Sequence, residues 1–136
     1  MRGVTVVALV AAVFVALLAN ASAFTVGSST SLRISFWDGQ GGPPDSVWTL
    51  RCNPAGGTLA KPIRACRKLA AGGVKLFAAT PPDTVCTEIY GGPQRARIVG
   101  IVGGVRVWTT VTRTNGCEIA RWQRLSPWLL PPGGVT

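Results

Sequence analysis

Four cysteines, Cys52, Cys66, Cys86 and Cys117, constrain this chain more than any other feature. An even count in a chain bound for an oxidising compartment reads as two disulfides, with three possible pairings. Pairing sequence neighbours, Cys52 with Cys66 and Cys86 with Cys117, is the simplest of the three. Each bond would stabilise the fold by roughly 3 kcal/mol, chiefly by restricting the unfolded chain. Zinc is the competing use of four cysteines. With no histidine and no Cys-x-x-Cys pair, neither a metal site nor a cofactor is expected.

The start of the chain supplies the oxidising compartment. Met1-Arg2 is followed by an apolar run from Val4 to about Leu18 and by Ala21-Ser22-Ala23, a small-x-small cleavage pattern. Residues 1–23 therefore read as a secretory signal, cleaved between Ala23 and Phe24. The apolar run is short for a membrane span, and no stop-transfer charges follow it. The expected product is extracellular, has no membrane partner once the signal is removed, and forms one domain over residues 24–136. So small a domain buries a limited share of its surface, which gives disulfide staples their value.

The chain carries 14 Lys+Arg against 5 Asp+Glu. Such a balance can steer a protein toward anionic partners. Here the positive residues are spread along the chain without a run of Arg or Lys. Solubility is the expected role, and nucleic acid is not an expected partner.

Apolar periodicity lays out the elements. Leu32, Ile34 and Phe36 alternate with Arg33, Ser35 and Trp37, a half-buried strand over Ser31–Trp37. Ser46–Cys52 reads as a second strand after a Gly/Pro-rich loop. Leu59, Ile63, Cys66 and Ala70 recur at helical spacing, with Pro62 in the first turn and Gly72-Gly73 as the stop. Two β-branched runs, Gln94–Val102 and Val105–Arg113, flank Gly103-Gly104, a two-residue hairpin signal. Asn115-Gly116-Cys117 reads as a turn. Leu125–Leu130 contains Pro127 and reads as an edge strand or extended tail. The fold class is α+β around an antiparallel sheet.

Catalysis is not expected. Without histidine there is no Ser-His-Asp or Cys-His device. The carboxylates Asp38, Asp45, Asp83, Glu88 and Glu118 are scattered, with no acid/base spacing among them. What remains chemically distinctive is Val85-Cys86-Thr87-Glu88-Ile89-Tyr90-Gly91-Gly92-Pro93. It starts at a half-cystine and ends at a breaker, so it reads as an exposed, tethered loop that presents a short peptide in one shape. Gly91-Gly92 would loosen its far side.

Several motifs then fall in order: Thr49-Leu50-Arg51-Cys52, the turn from Pro54 to Thr58, Ala65-Cys66 with Leu69, Cys86-Thr87-x-x-Tyr90 with Pro93, and Gly103/Gly104, Val107, Arg113 and Gly116-Cys117-Glu118. Together they resemble the Streptomyces subtilisin inhibitor family of small secreted serine-protease inhibitors. The resemblance covers about Leu32 to Leu130. It implies disulfides Cys52–Cys66 and Cys86–Cys117. It implies a five-stranded antiparallel sheet with two helices on one face, and a homodimer through the other face. It implies a reactive bond at Glu88–Ile89, with Cys86, Thr87, Tyr90 and Gly91 contacting the protease. Glu88 would enter the primary pocket, so a glutamyl-specific enzyme is a candidate partner beside the subtilisin-like ones. The alternative reading is a non-inhibitory basic secreted module that binds anionic cell-envelope polymers or nucleic acid.

Overall fold

The computed structural model describes residues 28–39 and 41–133. The expected signal segment and its cleavage point lie outside the described residues. Four strands form one antiparallel sheet: β1 (Thr30–Trp37), β2 (Ser46–Cys52), β3 (Arg95–Val102) and β4 (Val105–Val111), in the order β2-β1-β3-β4. Two helices accompany it, α1 (Pro62–Gly72) and α2 (Gly116–Leu125), with a 3-10 turn at Gly73–Phe77.

The period-2 pattern assigns the sheet's two faces. Leu32, Ile34, Leu50, Ala96, Ile98, Val107 and Val111 are buried on one of them. Ala65 and Leu69 of α1, Phe77, Trp122 and Leu125 of α2, and Trp128–Leu130 complete that core. Both helices therefore cover the same face, as the resemblance implied. The hairpin between β3 and β4 is the expected two-residue turn. Gly103 and Gly104 take φ of 56° and 82°, and Val102 pairs with Val105. Those dihedrals lie in the left-handed region that glycine enters without steric cost.

Three expectations need correction. The described residues hold four strands, not five. The Leu125–Leu130 run is neither edge strand nor tail: it coils on from α2, with the Leu129 and Leu130 amides both donating to the Leu125 carbonyl. Trp128, Leu129 and Leu130 are buried, so their apolar surface closes the core instead of extending the sheet. The inner stripe of α1 is Ala65 and Leu69. Ile63 is 66% exposed and Ala70 is exposed. The Cys52–Cys66 bond (Cα–Cα 5.7 Å) ties the end of β2 to α1. Cys66 thus lies half-buried beside the stripe rather than within it, which turns Ile63 outward.

Helix α2 is the element that periodicity missed. The Asn115 side chain accepts a hydrogen bond from the Glu118 amide at 3.0 Å, which makes Asn115 an N-cap rather than a turn residue. Asn-x-x-Glu ahead of Trp122 and Leu125 was the available signal. Arg121 docks the helix. Its guanidinium pairs with Glu118 at 2.9 Å and donates to the Thr109 hydroxyl and the Ala78 carbonyl. Burial of this arginine is tolerable because its donors are met.

The two tryptophans at opposite extremes test this packing. Trp122, 1% exposed, contacts Phe36 at a ring separation of 6.2 Å, whereas Trp108 is 78% exposed. Trp122→Ala is expected to destabilise the protein by about 3–5 kcal/mol in a denaturant titration. Trp108→Ala should stay within about 0.5 kcal/mol of the parent.

Candidate functional site

The loop from Val85 to Pro93 has no regular secondary structure. Its side chains turn outward in succession: Val85 is 96% exposed, Thr87 and Glu88 are exposed, and Ile89 and Tyr90 are 63% and 58% exposed. Gly91 and Gly92 then pass into the interior. Glu88 makes no ion pair among the described residues, whose one ion pair is Arg121–Glu118. Its carboxylate is free to meet a cation on another molecule.

One short strip, Arg113 to Cys117, holds this loop at three points. The Cys86–Cys117 bond, with a Cα–Cα distance of 5.4 Å, ties the loop's start to the first turn of α2. The Gly116 amide donates to the Thr87 carbonyl at 2.9 Å. The Gly91 amide donates to the Arg113 carbonyl at 2.7 Å. The peptide bond between Glu88 and Ile89 lies between the two backbone attachments, one residue beyond the first and two before the second. Residues 88–90 therefore bridge two fixed points, and a segment held in that way cannot sample the open chain's range of shapes.

The glycines on the far side do the opposite of loosening it. A β-carbon on Gly91 would meet the Ile119 side chain at 2.9 Å, and Gly92 has φ of 130° with the Gln94 amide oxygen and the Arg113 guanidinium packed against it. Both positions need glycine for close approach. Gly91 is buried, and its amide bond to the Arg113 carbonyl anchors the far side of the loop. Below it, Arg113 is 4% exposed and donates to Gln94 Oε1 at 2.8 Å; Gln94 in turn donates to Asp38. This polar chain props up the stretch after Tyr90. Thr87 contributes through its carbonyl rather than its hydroxyl, which lies against the α-carbon of Gly116.

Sequence reasoning found the exposed Thr87, Glu88, Ile89 and Tyr90 and the half-buried Cys86, and the structure brings them together on one segment. It did not assign roles to Arg113, Gln94 or Gly92 beneath the loop. Their signal, a Gly-Gly-Pro-Gln run facing an arginine 19 residues away, becomes visible only after folding. Among the described residues no group of His, Cys, Asp or Glu could hold a metal ion, and no helix is long and apolar enough to cross a membrane.

A braced, outward-facing peptide on a disulfide-stapled domain is the arrangement of a proteinaceous protease inhibitor, which offers backbone to a cleft instead of catalysing a reaction. A family profile described as Subtilisin inhibitor-like matches residues 28–115, and the chain belongs to that family, whose members are inhibitors rather than enzymes. Ten solved chains also match. One is Streptomyces caespitosus sermetstatin, in a crystal structure of its complex with Bacillus licheniformis subtilisin. It is 28% identical, has a TM-score of 0.51, and the match covers 75% of this chain and 97% of that one. No curated protein sequence matches the chain.

Gly92→Ala should expose the brace. Forcing an alanine to a φ of 130° against Gln94 is expected to cost about 1–3 kcal/mol, read as a lowered unfolding midpoint. Gly39→Ala, with nothing within 4 Å of the added carbon, should leave that midpoint unchanged.

Proposed function

We propose that the protein is a secreted inhibitor of serine endopeptidases that inserts Cys86–Tyr90 into the enzyme's cleft, with Glu88–Ile89 as the reactive bond. The observation that carries this reading is the pair of backbone bonds, Thr87 carbonyl to Gly116 and Gly91 amide to Arg113, which fix both sides of that peptide. The relative captured with subtilisin supports the class of target. The two disulfides suit an extracellular destination.

The mechanism is that of a substrate whose products do not separate. The enzyme's serine oxygen attacks the Glu88 carbonyl carbon, and the bond to the Ile89 nitrogen breaks. In an ordinary peptide the new amine diffuses away. Here Gly91 stays bonded to the Arg113 carbonyl, and Gly91 and Gly92 are buried behind the loop. The Ile89 amine remains beside the acyl carbon at high effective concentration, and resealing outpaces hydrolysis. Because the loop is already ordered, binding avoids much of the roughly 0.5–1.5 kcal/mol per side chain that immobilisation costs.

Glu88 sets the specificity. A carboxylate carried into an apolar pocket costs several kcal/mol unless a cation meets it. The preferred target is therefore an endopeptidase that cleaves after acidic residues, while subtilisins with apolar pockets bind more weakly. Titrating the oxidised protein against a subtilisin, a trypsin-like enzyme and a glutamyl-specific endopeptidase tests this. The glutamyl-specific activity should vanish near one equivalent. Glu88→Met should shift inhibition toward subtilisin by roughly 100-fold, the equivalent of about 3 kcal/mol. Cleavage after Glu88 without inhibition of any of the three would refute the reading.

A further inference from the structure

We propose that the outward face of α1 is a docking surface for a base-free polymer of phosphates, such as a polyol-phosphate chain. The proposal is independent of the reactive loop. It starts from helical pitch. Ala65 and Leu69 face the core, so the residues on the far side of the helix look into solvent. Those residues include Arg64, Arg67 and Lys68, with Lys61 just ahead of the first turn, and all four are exposed. Arg64 stands three or four positions from each of the other three, the spacings at which helical side chains are neighbours. The four cations line an open groove of about 690 Å³.

No carboxylate answers this charge. Ser46 to Pro82 contains no Asp or Glu. Among the described residues the one ion pair is Arg121–Glu118, so none of the four cations is neutralised within the fold. The acids gather elsewhere. Asp38 accepts from Gln94, and Asp45 accepts from the Asp38 amide, at the end of the sheet where the reactive loop enters β3; Glu88 is on the loop itself. Helix α1 is stapled through Cys66 to the other end. Cys52 pairs with Thr30, whereas Arg95 pairs with Trp37, and the rise of β1 sets those ends roughly 23 Å apart. The protein is thus polarised, with cations on α1 and carboxylates beside the loop. Neighbouring like charges on a helix repel one another, and a polyanion laid across them relieves the repulsion. Arginine binds phosphate by paired hydrogen bonds.

The lining decides among polyanions. Among the described residues no aromatic side chain lines the groove, so a base has no ring to stack on and single-stranded nucleic acid gains nothing over bare phosphate. A lipid surface is a poorer occupant too. Ile63 is the one large apolar side chain exposed on α1, which falls short of the apolar stripe that seats a helix in a bilayer interface. The helix rise spaces Lys61, Arg64 and Lys68 by about 4.5 and 6 Å along the axis, a ladder that an extended chain of phosphates can follow. A second copy of the chain would set cation against cation, which like charges disfavour strongly. Both helices cover the core face of the sheet, so α1 stays open in a monomer and equally in a homodimer formed through the uncovered face.

The test is fluorescence anisotropy of a labelled poly(glycerol phosphate) oligomer with the full oxidised protein. If the four cations neutralise phosphates, affinity should fall about 50-fold between 50 and 200 mM salt. Arg64→Gln with Lys68→Gln should halve the salt slope, whereas Arg124→Gln, at an exposed position on α2, should leave it unchanged. Both variants should keep the parent's protease titration, and saturating polymer should not block inhibition, because the loop lies at the other end. The proposal fails if no binding is seen at the lower salt, or if Arg124→Gln weakens binding as much as the double variant, the mark of diffuse charge. It also fails if single-stranded DNA of equal phosphate number binds about tenfold more tightly, which would make the occupant a nucleic acid. Capture by phosphatidylglycerol vesicles in preference to the polymer would overturn it in favour of a lipid surface.

Discussion

The bracket between Arg113–Cys117 and the loop in front of it is the constraint on which the site rests. Three bonds meet there: the Cys86–Cys117 disulfide and two backbone hydrogen bonds, one at the Thr87 carbonyl and one at the Gly91 amide. The strip can serve as a fixed reference because each of its ends runs directly into packed structure. It leaves β4 at Val111 and enters α2 at Gly116, with Asn115 capping the helix. Arg121 then locks α2 back to β4 through Thr109. The loop's shape is thus an indirect product of helix-on-sheet packing. The exposed residues themselves contribute little to it.

Much of this was legible from the residues and some was not, and the division is physical. Strand alternation at Leu32, Ile34 and Phe36, and the Gly103-Gly104 turn, are local patterns that short-range sterics enforce. They translated directly into β1 and the β3–β4 hairpin. Helix α2 was obscured because Asn-Gly usually marks a turn, and here the asparagine caps a helix instead. The final apolar run was misread because Pro127 excludes a central strand without saying that the run would coil into the core. Nor was the brace under the loop legible. The pairing of Arg113 with Gln94, and the burial of Gly91 and Gly92, depend on which strand lies next to which.

Charge shows the same limit from another side. Along the chain the basic residues are spread without a run of Arg or Lys. Helical pitch sorts them by angle and brings Lys61, Arg64, Arg67 and Lys68 onto one face without a carboxylate. A linear count of charges cannot distinguish a basic residue that merely improves solubility from one that belongs to an array.

The outward turn of Glu88, Ile89 and Tyr90 has a consequence for how such a protein can change over time. The groups that hold the loop are backbone amides and carbonyls, a disulfide, and side chains behind it. Among the described residues, the three at its crest make no hydrogen bond or ion pair with that scaffold. Identity at the crest and integrity of the fold are therefore nearly separable. Mutation can explore new protease pockets there while the folded state barely registers the change, so a lineage can track a shifting set of enzymes without passing through unstable intermediates.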